Sequence, residues 1–248
     1  MKRSVSLALT FPIALALAAC SDNADGTEDV SLEGDAIAAI DAPEGSSWLE
    51  VASDTEEGGT VLGNPDAPLK LVEYASHTCG ACAYFAETGS PSLKQDYVST
   101  GVVSYEVRPL FMNPLDVTIG TLVKCGAPES YHALADQAWG ELQQFTQNLQ
   151  TNGAAYEAAM NAPPEQRFTG LAEAAGLFDF FAARGVSASQ ARTCLNDTDA
   201  ITQMAELSSR VTTEAGVTGT PTFFLNGRRL DGNQWPDLEP VLQRAGAR

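Results

Sequence analysis

At 248 residues, with 32 acidic side chains against 14 basic ones, the chain carries a formal charge of −18. A surface so negative repels polyanions, which argues against nucleic acid as a partner. No apolar run reaches the roughly 20 residues of a membrane-spanning helix, and the length suffices for one domain with a sizeable core.

The chain begins MKRSVSLALTFPIALALAA, where Lys2 and Arg3 precede an apolar stretch, Val5 to Ala19, that carries Pro12 and ends in small residues. This is the pattern of a secretory signal peptide, which is not part of the fold. Residues 17–20, LAAC, resemble the lipobox of bacterial lipoproteins. That resemblance implies cleavage before Cys20 and acylation of Cys20, leaving a periplasmic protein held to a bacterial membrane by its lipid alone. The alternative is ordinary cleavage after Ala19 and a free thiol. Five cysteines are an odd number for an exported chain, and lipidation of Cys20 leaves four in a compartment where disulfides persist. Losing Lys2 and Arg3 with the leader takes the charge from −18 to −20.

From Ser21 to Thr60 there are twelve Asp and Glu residues and no Lys or Arg, the composition of a solvated spacer. The flexible tether is expected over 20–46, with the fold starting near Ser47, where SWLEVAS (47–53) offers Trp48, Leu49 and Val51 as an edge strand. LKLVEYAS (69–76) is short and apolar, a buried strand approached through Gly63, Pro65 and Pro68. The chain then reads as helix from Cys79 until TGSP (88–91) interrupts it, and again from Pro91 to Tyr97. VVSYEVRPL (102–110) alternates and is rich in β-branched residues, a second strand. Strand, helix, strand favours a parallel pair.

Tyr131, Leu134, Ala135, Ala138, Leu142 and Phe145 recur at helical spacing. Further helices are expected near 153–161, 164–175, 177–184 and 188–195, and a longer one over 198–215 that Gly216 stops. TFFLNG (222–227) is a strand running into an Asn226-Gly227 hairpin turn, RRLDG returns, and Pro236 opens a last amphipathic helix.

Two cysteines three apart, Cys79 and Cys82, follow the first strong strand. A structural zinc site needs two more ligands, usually a second close pair; Cys125 and Cys194 stand apart, and the only histidines are His77 and His132. A disulfide across two residues restrains little of the unfolded chain. Thiol exchange remains, and a strand running directly into a helix at Cys79 suits it. The first-turn N–H groups and the helix dipole favour a thiolate there. Cys79 is then the nucleophile, and Cys82, one turn further in, attacks the mixed disulfide.

The order of elements, EYASHTCGAC (73–82) and GVTGTPTFFLNG (216–227) together resemble the thioredoxin superfamily, in its exported DsbA-like branch with a helical insertion. The resemblance runs from about residue 60 to the C-terminus. It implies an α/β, thioredoxin-like fold in two parts, 47–112 and 201–248, around a helical insertion at 113–200. Glu73, six residues before Cys79, falls where the family places a buried acid that moves the inner cysteine's proton. An acid on a buried strand is expensive unless paired or functional; a solvent-facing edge position is the alternative. Pro221 matches the family's cis-proline, and Thr220 offers its backbone to an extended substrate peptide. Two cysteines in the insertion are common in this branch, which implies a structural disulfide between Cys125 and Cys194. Closing about 70 residues, it would contribute on the order of 4 kcal/mol.

Gly80-Ala81 departs from the strongly oxidising members, which carry a His between the cysteines; His77 is a candidate modulator in its place. Thr220 looks more like the isomerase and reductase relatives, so the direction of electron flow stays open. The resemblance implies a cofactor-free thiol:disulfide oxidoreductase acting on exported proteins, recharged by a membrane partner, either a quinone-linked oxidase or a transmembrane reductase. The rival is a copper-binding or chaperone protein in which Cys79, Cys82 and His77 hold Cu(I), although no Met-rich or His-rich stretch accompanies them.

Overall fold

A computed structural model describes residues 32–248; the leader, Cys20 and the first part of the expected tether lie outside the described residues. A turn of 3-10 helix at Trp48–Glu50 leads into strands β1 (Ala52–Asp54), β2 (Thr60–Leu62) and β3 (Leu69–Ala75). After α1 (Gly80–Thr88) and α2 (Ser90–Ser92) the chain stays helical through Thr100, then forms β4 (Val103–Pro109). The helices α3 (Pro114–Val123), α4 (Pro128–Gly140), α5 (Leu142–Thr151), α6 (Gly153–Asn161), α7 (Pro164–Ala175), α8 (Leu177–Ala182) and α9 (Ala188–Asn196) follow. The long α10 (Thr198–Glu214), β5 (Thr222–Leu225), β6 (Arg228–Arg229) and α11 (Trp235–Arg244) complete the chain.

The strands form one sheet in the order β1-β2-β4-β3-β5-β6. β3 and β4 run parallel, Leu69 opposite Val103 through Ala75 opposite Pro109, with α1 in the crossover. β2 and β5 flank them antiparallel. β3 is buried along one face, where Glu73 interrupts an otherwise apolar row, and only at Tyr74 on the other. Leu69, Leu71 and Ala75 join Cys82 and Phe85 of α1 and Leu238 and Leu242 of α11 in the main core, while Tyr74 packs on Val211 and Val217 over the opposite face. The Asn226-Gly227 turn has both residues at positive φ, 49° and 81°, the geometry that matches the twist of a tight hairpin.

Helices α3 to α9 lie between β4 and α10. Ile119, Leu122, Leu171, Leu177, Phe181 and Leu195 are fully buried there, continuous with the core under the sheet. Cys125 and Cys194 are bonded, tying the end of α3 to α9 with their Cα atoms 6.0 Å apart and the two residues 69 positions apart in sequence.

Two local expectations change, and one strand has no counterpart among them. SWLEVAS is a capped helical turn followed by a short strand, because Ser47 and Glu50 satisfy each other's backbone N–H groups in a capping box. β2, which carries only three residues behind Gly58 and Gly59, has no recognisable strand pattern in the sequence. The expected helix over 131–145 is split at Glu141 between α4 and α5.

The segment from Leu32 to Ser46, expected as free tether, is a strap on the body. Gly34 N–H bonds the Arg244 carbonyl, Ile37 N–H bonds that of Gly246 and Ile40 N–H bonds that of Thr100. Arg248 donates back to the Gly34 carbonyl, and the Trp48 indole donates to that of Ile40 at 2.7 Å. Two glycines make room for it. A Cβ on Gly101 (φ 73°) would stand 2.4 Å from the Trp48 indole nitrogen, and one on Gly246 (φ 113°) would stand 2.4 Å from the Asp35 carbonyl. Acidic composition concealed the strap because its bonds are made by backbone groups.

A protein starting at Ser47 should therefore be less stable than one starting at Leu32. Losing these bonds, at about 1 kcal/mol each less the entropy regained, gives roughly 2 kcal/mol, or about 4–8 °C in thermal midpoint for a chain of this size. Equal midpoints would show that the strap contributes nothing.

Candidate active site

Cys79 stands where β3 gives way to α1, after the turn Ser76-His77-Thr78. It is the N-cap of α1, with extended backbone at φ −90° and ψ 119°. Its sulfur accepts the Cys82 backbone N–H at 3.4 Å, and as a thiol it donates to the Thr220 carbonyl at 3.3 Å. Cys79 is partly exposed, while Cys82, one turn further in, is 0% exposed. No atom lies within 4 Å of a Cβ built on Gly80, so the residue after Cys79 leaves its approach open.

This placement separates the two thiols electrostatically. Hydrogen bonding from Cys82 pulls the Cys79 thiol down to about 5 against the opposing effect of burial, and Thr220 with the backbone N–H groups of Cys82 and Ala81 adds to it. Burial pushes the Cys82 thiol far up, and its bond to Cys79 and the nearby Glu73 charge push the same way. At neutral pH the outer sulfur is a thiolate and the inner one holds its proton. Such a pair has a nucleophile that is also a good leaving group and a resolving thiol that needs a base.

Glu73 supplies a titratable group at that point. It lies on β3, a central strand, with 0% exposure, so the solvent-facing edge position does not apply. One carboxylate oxygen accepts the Tyr105 hydroxyl from β4; the other has no partner among the described residues. Burial raises its pKa to about 8; the Tyr105 bond opposes this, Asp136 and Cys79 add to it and Lys94 lowers it. Tyr105 carries no functional signal in the sequence beyond its alternate position in VVSYEVRPL, which places it on the inward face beside Leu71.

Thr220-Pro221 is a cis peptide bond immediately before β5. Pro221 is buried, and the Thr220 carbonyl lies against the Cys79 sulfur. The two sequence motifs, more than 130 residues apart, thus meet at one sulfur atom. His77 makes no ring hydrogen bond to any of them among the described residues. Its ring is buried, stacked on Trp139 at a centroid distance of 5.3 Å, with Nδ1 3.7 Å from Asp116. The main influences on the Cys79 thiol come from its own helix and Thr220. A flanking histidine reads as catalytic only if it points outward, and here an aromatic platform from α4 holds it in. Among the described residues no group of three or more His, Cys, Asp or Glu side chains has the spacing of a metal site.

A family model described as Thioredoxin matches residues 55–243. Among solved structures, the chain is similar to protein-disulfide isomerase from Novosphingobium aromaticivorans, with 30% identity and a TM-score of 0.70 over 76% of this chain and 97% of that one. Wolbachia pipientis alpha-DsbA1 shares the fold, at a TM-score of 0.60 and 20% identity over 75% of this chain and 89% of that one. A Rickettsia bellii protein named provisionally as a protein-disulfide oxidoreductase is 26% identical over 199 residues, 79% of this chain and 68% of its own length. The chain spans about two thirds of the length of these curated relatives, 65% of the Rickettsia typhi protein.

Because the Glu73 pKa rises from 4.5 to about 8 on folding, its protonated form favours the folded state, and stability is lost as pH rises through that window. Glu73→Gln cannot titrate. In the oxidised protein, the stability of this variant relative to the unsubstituted chain should grow by a few kcal/mol between pH 5 and pH 8, at about 1.4 kcal/mol for each pH unit crossed. Parallel pH curves from chemical denaturation would show that Glu73 is charged in the folded protein.

Proposed function

Because the chain belongs to the thioredoxin superfamily and is a DsbA-like thiol:disulfide oxidoreductase, we propose that it donates disulfides to exported proteins from a lipid anchor at Cys20. The observation that carries the direction is the Cys79 thiol at about 5 beside a Cys82 thiol pushed far above its ordinary value. A stabilised thiolate stabilises the reduced form, and a couple with a stabilised reduced form is an oxidant.

In the donating direction a substrate thiolate attacks Cys79 of the Cys79–Cys82 disulfide. Its sulfur bonds to Cys79, the Cys79–Cys82 bond breaks, and Cys82 leaves as a thiolate that takes the proton held by Glu73. A second substrate thiolate then attacks the substrate sulfur of the mixed disulfide. A substrate disulfide forms, and Cys79 departs as a thiolate held by the α1 N–H groups. Two electrons have passed from substrate to protein, and a membrane oxidase linked to quinone is the partner that would remove them. In the reverse direction Cys79 attacks a substrate disulfide, and Cys82, after losing its proton to Glu73, resolves the mixed disulfide. The Thr220 carbonyl lies against the Cys79 sulfur, which suits a peptide laid alongside as an added strand.

The potential of the pair, measured in glutathione buffers on a Cys125→Ala, Cys194→Ala variant, tests the direction. Each 30 mV is about 1.4 kcal/mol for this couple. The donating reading expects a value well above that of the glutathione pool. A value near that of thioredoxin would reverse it and make a transmembrane reductase the partner. For the anchor, Cys20→Ala should move the protein from the membrane to the soluble fraction of expressing cells; retention with the membranes would remove Cys20 as the attachment point.

A further inference from the structure

Asp116 is in the first turn of α3, outside both motifs, and its side chain is 0% exposed. A buried carboxylate loses the hydration of a full charge, which is tolerated only with strong compensating bonds. Asp116 accepts the Ser76 hydroxyl at 2.5 Å, the His77 backbone N–H at 2.8 Å and the Met112 backbone N–H at 3.0 Å. None of these donors belongs to its own helix. Two lie in the turn that delivers Cys79, and the third lies in the loop leading from β4 to α3.

Other residues of the inserted helices grip the same turn. Asn113, the N-cap of α3, donates its side-chain amide to the Thr78 hydroxyl at 2.8 Å while its Oδ1 accepts the Asp116 backbone N–H. Trp139 of α4 donates to the Ser76 carbonyl at 2.9 Å, an oxygen that also accepts the Cys79 N–H at 3.2 Å. On the other side, the Met112 sulfur lies 3.9 Å from the Thr220 hydroxyl, and the Thr220 carbonyl touches the Cys79 sulfur at 3.3 Å. The contacts close a circuit: Cys79, its turn, Asp116, Met112, Thr220, and Cys79 again.

We infer that Asp116 is a positioning residue for Cys79, holding the turn before it and the Met112–Thr220 side of the cleft in the one arrangement that leaves the sulfur facing the α1 N–H groups. This rests on the reading of Cys79 as the exchanging thiol. The titratable groups around the circuit are His77 in the turn, Cys82 on α1 and Glu73 on β3. Loosening the turn lengthens the N–H contacts that hold the thiolate, so Cys79 should become harder to ionise. Removing the Asp116 charge alone would act the other way, which makes the sign of the change diagnostic.

The experiment is the pH dependence of iodoacetamide alkylation at Cys79, read by mass spectrometry of its peptide in the full chain, for the unsubstituted protein, Asp116→Asn and Leu171→Ala. Leu171 is fully buried in α7 and serves as a control for general destabilisation. The expected result is a midpoint near 5 for the unsubstituted protein, raised by about one pH unit in Asp116→Asn, tenfold in thiolate population at low pH. In Leu171→Ala the midpoint stays put although the melting temperature falls. An Asp116→Asn midpoint that is unchanged or lowered overturns the inference. An unsubstituted protein with a midpoint near 9 overturns the reading of Cys79 itself. Should Asp116→Asn not fold, Ser76→Ala removes a single donor and decides: a smaller upward change supports the positioning role, and no change removes it.

Discussion

The first turn of α1 has N–H groups that no helical carbonyl can reach, and the chain puts a sulfur atom over them. Most of the molecule can be understood as what this contact requires. The sulfur must be partly open to other chains, and Cys79 is partly exposed at the start of the helix. Its companion must be buried, or both thiols would titrate alike and the asymmetry between a good leaving group and a reluctant resolving thiol would vanish. Burial of Cys82 needs apolar cover, and Cys82 belongs to the same core cluster as Phe85, Leu238, Leu69, Leu71 and Ala75. Covering one thiol and exposing the other, three residues apart, is possible only at a helix start, where one turn separates the surface from the core.

Burying Cys82 creates a second demand, because a thiol in a low-dielectric interior cannot lose its proton without an acceptor nearby. Glu73, on the central strand, is the acceptor proposed above and is itself displaced from its ordinary range by burial. The charge of Glu73 opposes ionisation of Cys82, and the charge of Cys79 opposes ionisation of Glu73. Tyr105 moderates this by donating to the carboxylate, and that hydroxyl reaches Glu73 only because β3 and β4 are parallel neighbours in the register observed.

What could be read from the sequence was what local chemistry determines. β3, α1 and the Asn226-Gly227 hairpin follow from apolar runs and turn residues, and the helices between 153 and 196 from their spacing and punctuation. The cysteine pair, Glu73 and Pro221 stand at intervals characteristic of the family. What escaped was determined by contacts across long separations. His77 beside the nucleophile has the look of a catalytic group, yet Trp139, 62 positions on, holds its ring in the core. Asp116 sits in an ordinary helix start, and only the folded chain shows that its three donors come from other segments. The strap over 32–46 escaped because backbone hydrogen bonds leave no mark on composition.

That strap also has a definite position relative to the cleft. β3 and β4 are parallel, so both begin at one pole of the sheet, and Cys79, four residues past the last residue of β3, lies at the other. Ile40 and Trp48 dock against Thr100 and Gly101, just ahead of the start of β4. The last stretch of the strap therefore runs into the sheet at the pole remote from the reactive sulfur. The strap is bonded to the body through Gly34, Ile37 and Ile40 and does not swing free, so its last stretch, Ile40 to Trp48, is held at the end of the sheet away from the cleft and leaves the approach to Cys79 to arriving polypeptides.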